Sequence, residues 1–226
     1  MKTAILALLA LGTMHGANII QNPGFETNAI FPDTFSILGT GDSTHLPGWV
    51  VTGSGCTTNC VLLLTNSYAE GSLQFFSHGG TQNLDLTGGG NTVDGGIQQT
   101  VSLTGGVNYS LSFWLGNMDN AANGYALASV LEVFLNGVTQ GTFSNGNSTT
   151  NQTNWQQFTL NFTPGVSGNT TIRFVNATGS SDNYIGLDDV FLDATPRNGV
   201  PEPATAGMLG AGLVVIAAVC RKSVRR

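Results

Sequence analysis

The sequence predicts an all-β protein with the architecture of a β-sandwich, on three observations. Several segments alternate apolar and polar residues with period two, the pattern of strands that bury one face. Turn-forming sequences separate these segments at a spacing of roughly 8–12 residues, which favours a sandwich over a helical or α/β fold. Gly, Asn, Ser and Thr are abundant, only 9% of the residues are charged, and no convincing stretch repeats apolar residues with helical spacing.

The clearest strand runs from Tyr109 to Leu115, and its odd-numbered residues share one face. The other alternating segments predict further buried residues in four groups: Leu131, Val133 and Leu135; Phe158, Leu160 and Phe162; Ile172 and Phe174; Val190 and Leu192. Asn136-Gly137 is a strong signal for a two-residue hairpin turn.

The first 17 residues are typical of a secretory signal peptide. Lys2 precedes the apolar run Ala4–Leu11, which is too short to span a bilayer, and small residues follow up to Ala17. We expect export through the Sec translocation machinery and cleavage after Ala17. The alternative is an uncleaved N-terminal anchor.

The chain ends in a three-part segment, residues 200–226. Pro201-Glu202-Pro203 comes first and the uncharged apolar run Ala204–Cys220 follows. The basic residues at its end are Arg221, Lys222, Arg225 and Arg226. The apolar run has the length of a short transmembrane helix, which needs roughly 17–25 residues. Because basic flanking residues stay on the cytoplasmic side, everything before Pro201 is expected outside.

These three parts, in this order, resemble the PEP-CTERM sorting signal of Gram-negative bacteria. The resemblance covers only the tail. It implies that an exosortase recognises Pro201-Glu202-Pro203, cuts near it and hands the protein to the cell surface or the exopolysaccharide matrix. An ordinary C-terminal membrane anchor is the alternative and gives the same topology.

Four segments follow from these signals. They are a signal peptide at 1–17, a β-sandwich at 18–194, a short linker at 195–199 and the sorting signal at 200–226, with its transmembrane helix at about 204–220.

The exported part, residues 18–199, is strongly acidic. Its basic residues are Arg173 and Arg197, against twelve carboxylates. A net charge of about −10 argues against nucleic-acid binding, which depends on Lys and Arg neutralising phosphates. The same carboxylates suit a calcium-containing extracellular milieu.

Cys56 and Cys60 enclose a three-residue loop, and a disulfide between them is expected in an oxidising compartment. A zinc site is disfavoured, because it needs about four ligands and the histidines are scattered along the chain. Cys220 lies in the apolar run and cannot be the partner of either.

The exported part carries six pieces in a recognisable order. They are Asn18–Glu26, Leu46–Val50, Leu84–Thr87 leading to Gly95–Val101, the Tyr109 strand ending at Asn117, Trp155–Leu160 and Ile185–Leu192. This order resembles the galactose-binding-like jelly rolls, a group that includes carbohydrate-binding modules. The resemblance covers nearly all of the exported part and implies a single jelly-roll β-sandwich with Trp49 and Trp155 in its core.

The same resemblance implies a structural calcium ion that ties the opening loop to the closing strand. Glu26 and Asp188 match the ligand positions, and Asp189 is a weaker candidate. Calcium takes several oxygen ligands, which carboxylates and the carbonyls of a glycine-containing loop supply. Asp188 also shares strand parity with Val190 and Leu192, so its carboxylate is expected to lean inward and to need a partner. The alternative is that Asp188 caps a backbone turn and that Glu26 is solvated.

A sugar-binding face is the second candidate site. Trp114, Glu132, Phe134 and Arg173 each lie opposite the buried set of their strand. If the strands belong to one sheet, these four residues form an aromatic platform with hydrogen-bonding neighbours. The alternative is that Trp114 or Phe134 packs under a loop, since single exposed hydrophobic residues are common.

No catalytic motif is evident. No carboxylates form a recognisable pair for glycoside hydrolysis, no serine lies in Gly-x-Ser-x-Gly, and no lysine follows Gly88-Gly89-Gly90. We therefore predict an exported, non-enzymatic protein that binds exopolysaccharide or another carbohydrate. The alternatives are a structural envelope or biofilm-matrix component without a defined ligand and, third, a small glycan-cleaving enzyme.

Overall fold

The structure is a computed structural model that describes residues 16–27, 34–90, 94–118, 125, 128–147, 151–178 and 183–195. The chain divides into two compact units between Ala194 and Thr195, and the β-sandwich is the first of them. The predicted signal peptide, apart from its last two residues, lies outside the described residues. So do Arg197, Pro201-Glu202-Pro203, the apolar run and its basic flank.

The described residues form thirteen strands, a 3-10 turn at Gly88–Gly90 and no α-helix, so they contain no helix that could cross a membrane. The strands are β1 (Phe35–Leu38), β2 (Val50–Thr52), β3 (Val61–Thr65), β4 (Ala69–Glu70), β5 (Leu73–Gln74), β6 (Gln82–Asp85), β7 (Gly96–Leu103), β8 (Tyr109–Asn117), β9 (Ser129–Leu135), β10 (Val138–Asn145), β11 (Asn154–Phe162), β12 (Gly168–Asn176) and β13 (Ile185–Ala194).

Two antiparallel sheets make up the sandwich. Sheet A has the strand order β1-β3-β6-β13-β8-β11, and sheet B has the order β10-β9-β12-β7-β2. β4 and β5 form a separate short ribbon. The predicted all-β sandwich is therefore confirmed.

The core between the sheets follows the predicted alternation. Along β8 the residues Tyr109, Leu111, Phe113 and Leu115 are buried. The other predicted residues are buried or half-buried: Leu131, Val133, Ile172, Phe174, Val190 and Leu192 are buried, and Leu135, Phe158, Leu160 and Phe162 are half-buried. The residues of β11 are the less buried ones because β11 is an edge strand of sheet A.

The two predicted core tryptophans differ. Trp49 is completely buried and packs against Phe25 and Phe174, with ring centroids 5.9 and 6.1 Å away. Trp155, on the edge strand, is half-buried and its Nε1 donates to the Phe76 carbonyl at 3.0 Å.

β9 and β10 form the predicted hairpin. Asn136 and Gly137 have φ values of 48° and 79°, the left-handed conformation that this two-residue turn requires. Leu135 and Val138 pair across it. The predicted disulfide between Cys56 and Cys60 is also present, with the Cα atoms 5.3 Å apart.

The opening segment is hydrogen-bonded to the closing strand. Ile19 N donates to the Leu192 carbonyl at 2.9 Å, and Val190 N donates to the Pro23 carbonyl at 3.0 Å. β13 itself lies between β6 and β8 in sheet A. This arrangement brings the opening loop close to the middle of β13, where Asp188 lies.

A second apolar cluster lies on the outer face of sheet A, beneath the segment between β3 and β6. Its buried members are Leu62, Leu64, Leu73, Phe75, Met118 and Tyr184. In β3, Leu62 and Leu64 alternate with Val61 and Leu63, which belong to the core between the sheets. The continuous apolar run of β3 thus reflects burial on both faces.

Candidate functional site

A half-buried cluster lies on the outer face of sheet B. Arg173 of β12 and Phe134 of β9 are register partners, and the guanidinium carbon lies 4.4 Å from the centroid of the phenyl ring. Gln98 of β7 pairs with Arg173 on its other side, and Val50 of β2 pairs with Gln98. The four residues form a row across four strands, in the order Val50, Gln98, Arg173 and Phe134, so that two polar side chains lie between an aliphatic one and an aromatic ring.

The charge on this face is unusual for the domain. Arg173 is the single Lys or Arg among the described residues, and none of their carboxylates lies within ion-pair distance of it. Its guanidinium lies over the Phe134 ring instead, as a cation–π pair. A guanidinium carries five N–H donors in one plane. Glu132 lies on the same face, where it pairs with Val175. The face therefore offers both donors and acceptors to a ligand.

Trp114 does not belong to this face. It lies in β8 of sheet A, and its half-buried indole is stacked on the His78 ring, with centroids 3.6 Å apart and planes 16° from parallel. The expectation of one four-residue platform is wrong for Trp114, because alternation tells which side of its own sheet a residue takes but not which sheet. The alternative, packing under a loop, describes Trp114.

Three carboxylates lie where the opening segment meets β13, and all three bind residues 78–82. Glu26 accepts three hydrogen bonds of 2.7–2.8 Å, two from Thr81 and one from the backbone of Gln82. Asp188 accepts hydrogen bonds from the backbone N–H groups of His78 and Gly79, at 2.9 and 3.1 Å. Asp189 lies 2.6 Å from His78 Nδ1. The structure thus brings the three predicted metal ligands to one loop.

Asp188 is buried but does not lean into the core between the sheets. A bulge at Asp189, whose φ is 45°, interrupts the pairing of β13 with β8. Leu187 and Val190 both face the core, whereas Asp188 lies on the outer side beside its register partner Trp114. The expectation that Asp188 shares the side of Val190 is wrong, because the extra residue of the bulge reverses the alternation.

The environment of Asp188 is chemically suited to a cation. Burial, followed by the charge of Asp189, raises the pKa of Asp188 to about 8. Hydrogen bonds from backbone N–H groups lower this pKa and so partly offset the increase. Such hydrogen bonds are what the turn-capping alternative predicts. No group of three or more His, Cys, Asp or Glu side chains among the described residues could hold a metal ion. A calcium site does not need three such side chains, because calcium accepts two carboxylates together with backbone carbonyls. Glu26 and Asp188 fit that ligand set.

A groove that sequence reasoning missed lies on the outer face of sheet A. We call it the tyrosine groove; its cavity is about 400 Å³, and its principal side chains are Phe35, Tyr68, Glu70, Asp85, Tyr125 and Asn183. Burial raises the pKa of Asp85 to about 6, against hydrogen bonds from Thr87 and Ile185 that lower it. Burial, followed by the charge and hydrogen bonds of Glu70, raises the pKa of both tyrosines. The principal residues are spread over 149 positions of the chain, so no local motif marks the groove.

Comparison with known proteins identifies two segments. The pattern of a family described as a carbohydrate binding domain matches residues 17–183. The PEP-CTERM protein-sorting motif matches residues 199–226 and confirms the predicted sorting signal. No curated protein matches the chain.

Several solved structures are similar in fold. TmCBM61, solved with β-1,4-galactotriose, is 19% identical over 80% of this chain and 100% of its own, with a TM-score of 0.48. The CBM22-1 xylan-binding domain of Paenibacillus barcinonensis Xyn10C is 14% identical over 82% and 99%, with a TM-score of 0.46. A family 35 carbohydrate binding module from Clostridium thermocellum is 17% identical over 72% and 100%, with a TM-score of 0.40.

The match at residues 17–183 covers well over half of the chain and includes most of both sheets. The sorting motif begins after the last strand of the sandwich. The protein therefore belongs to the carbohydrate binding domain family and carries a PEP-CTERM sorting motif at its C-terminal end.

Proposed function

We propose that this exported protein binds a polysaccharide without cleaving it, through the outer face of sheet B. The observation that carries the proposal is the stack of Arg173 on Phe134. An aromatic ring supports the apolar face of a sugar, and a guanidinium fixed beside it directs N–H donors at the hydroxyl groups. Arg173 has no competing carboxylate partner among the described residues.

The row from Val50 through Gln98 and Arg173 to Phe134 supports a chain rather than a single sugar as the ligand. With neighbouring strands about 4.8 Å apart, a row across four strands extends about 14 Å. Gln98, next to Arg173, adds an amide and Glu132, on the same strand as Phe134, adds a carboxylate; a few such polar groups are what fix the orientation of a ligand.

The acidic residues support binding without cleavage. Glu132 is the single Asp or Glu in the five strands of sheet B. Glycoside hydrolysis generally uses two carboxyl groups on either side of the scissile bond. The strands of sheet B supply one carboxyl group, that of Glu132, which is suited to holding a hydroxyl group.

The sorting motif implies processing by an exosortase and delivery to the cell surface. We propose in addition that the signal peptide at 1–17 directs the chain to the Sec machinery. In the same proposal the apolar segment at about 204–220 holds the protein in the membrane until it is processed.

Calcium is the proposed structural ion, with Glu26 and Asp188 as carboxylate ligands and Asp189 beside them. The buried Asp188 supports this proposal, because a bound cation favours the charged form that burial disfavours. When bound, calcium would join the opening segment to β13 and residues 78–82. It would neutralise the charge of these carboxylates.

Binding of the purified protein to an array of extracellular polysaccharides tests the main proposal. We expect at least one polysaccharide to bind, and Phe134→Ala and Arg173→Met to reduce that binding while the domain stays folded at the assay temperature. Val138→Ala is the matched control, because Val138 is 63% exposed at the hairpin of the same sheet. Absence of binding to every polysaccharide contradicts the proposal and favours a structural matrix component. Release of reducing sugar contradicts the non-enzymatic part.

A further inference from the structure

The tyrosine groove is organised around one carboxylate. Glu70, which is exposed in β4, accepts hydrogen bonds from the hydroxyl groups of Tyr68 and Tyr125, the latter at 2.6 Å. Both tyrosine rings are half-buried, and both contact Phe75 beneath them, at centroid distances of 5.2 and 5.7 Å. The carboxylate is therefore held by the hydroxyl groups of two tyrosines, whose rings pack against the second apolar cluster.

The outer wall of the groove is apolar and open. Phe35 lies edge-on to Tyr68, with centroids 5.4 Å apart, and remains 37% exposed. Ile37, on the same side of β1, is 52% exposed. An aromatic and an aliphatic side chain next to a carboxylate leave room for an organic ligand with a polar group at one end.

Asn183 is the second, independent sign of a ligand. Asn183 lines the groove and is only 3% exposed, yet neither its Oδ1 nor its Nδ2 has a hydrogen-bond partner among the described residues. Buried side-chain polar groups nearly always have a partner. The Asn183 backbone carbonyl, in contrast, accepts a hydrogen bond from Thr87 Oγ1 at 2.8 Å, so the backbone at this position is fixed while the buried side-chain amide is left unpaired.

The charge of the groove indicates what the ligand carries. Glu70 and Asp85 both line it, and the described lining contains no Lys or Arg. Arg173, the single Lys or Arg among the described residues, lies in the other sheet. No described set of three His, Cys, Asp or Glu side chains could hold a metal ion here. Aromatic rings around a carboxylate suit an organic ammonium group instead, since both attract a cation.

We propose that the tyrosine groove is a second carbohydrate site, on the opposite face of the sandwich from Arg173, and that it takes a sugar residue carrying a protonated amine. The ammonium group pairs with Glu70 between the rings of Tyr68 and Tyr125. The Asn183 amide bonds with a hydroxyl group of the same sugar, as both donor and acceptor. The choice of a sugar, as opposed to another amine, rests on the proposed carbohydrate function; the choice of an amine rests on the groove alone.

Calorimetric titration of the full-length protein with a glucosamine tetramer tests the inference, with the N-acetylglucosamine tetramer as the matched ligand. The two ligands differ in whether the nitrogen carries a charge. We expect the glucosamine tetramer to bind at least about tenfold more tightly. Equal affinity for the two, or no binding of the glucosamine tetramer, overturns the proposal.

Three variants assign the binding to the groove. Glu70→Gln should weaken the glucosamine tetramer at least about tenfold, and Tyr125→Phe should weaken it less, because it removes only the hydroxyl that positions Glu70. Arg173→Met should leave it unchanged. An unaltered affinity in Glu70→Gln overturns the proposal, as does loss of this binding in Arg173→Met. The sheet B proposal is tested separately, because it is contradicted if Arg173→Met leaves polysaccharide binding unchanged.

Discussion

The imidazole of His78 lies flat on the indole of Trp114, while the edge of Trp155 faces the same histidine at a centroid distance of 6.2 Å. The backbone N–H of His78 also donates to Asp188, and its Nδ1 pairs with Asp189. His78 therefore connects the segment before β6 to both β8 and β13.

Trp114→Ala should therefore lower stability and leave polysaccharide binding intact. Because the substitution removes a half-buried indole and its stacking contact with His78, we expect the free energy of unfolding to fall by about 2 kcal/mol. Urea unfolding measures the first effect and the polysaccharide array the second. Normal stability with lost binding would return Trp114 to the ligand site.

Arg173→Lys should weaken polysaccharide binding by about tenfold, although the positive charge is kept. Lysine lacks the planar guanidinium that stacks on Phe134 and presents several donors in one plane. Titration with the best polysaccharide from the array gives the affinity. An unchanged affinity would mean that charge alone matters at this position.

Calcium should raise the melting temperature of the protein by about 5–10 °C at a hundredfold excess over its Kd, as ligand-linked stabilisation of a domain of this size predicts. Glu26→Gln should abolish the rise, because it removes a carboxylate ligand. Glu132→Gln, on the other sheet, is the control and should respond like the wild type. Identical melting curves in calcium and in chelator would remove the calcium proposal.

Asp85 should make stability depend on pH. Burial raises its pKa to about 6, so the folded state holds this proton more tightly than the unfolded chain, whose Asp pKa is about 3.9. The stabilisation is complete below about pH 4 and is lost as the pH rises through about 6, at up to about 1.4 kcal/mol per pH unit. The free energy of unfolding, measured in urea from pH 4 to 7, should fall less steeply with pH for Asp85→Asn than for the wild type. Parallel curves for the two proteins would show that Asp85 does not titrate as described.

Replacing Pro201-Glu202-Pro203 by three alanines should leave an unprocessed protein in the membrane fraction. The sorting motif begins at residue 199, and these residues are its predicted recognition element. Three alanines in the linker at 195–197 are the control and should be processed normally. Immunoblots of membrane and surface fractions distinguish the outcomes; normal processing of the first variant would contradict the assigned role.

The alternation of β8 and the Asn136-Gly137 turn could be predicted because each depends on neighbouring residues. The positions of Trp114 and Asp188 could not. Alternation does not say which sheet a strand joins, and the bulge at Asp189 arises where β13 meets β8 and the opening segment, far apart in the chain. The tyrosine groove escaped prediction for a similar reason, since Glu70 meets Tyr125 only through the folded second cluster.

The central place of β13 in sheet A governs when the domain can fold during synthesis. Ile185–Ala194 is the last strand to leave the ribosome, yet it separates β6 from β8 and holds the opening segment. Until it arrives, β6 and β8 are not joined and Ile19 lacks the Leu192 carbonyl to which it donates, although Gln21 and Glu26 already have partners in residues 81–99. Sheet A therefore cannot be completed before β13 has been synthesised, and a chain that is not yet fully folded can still be threaded through a narrow pore.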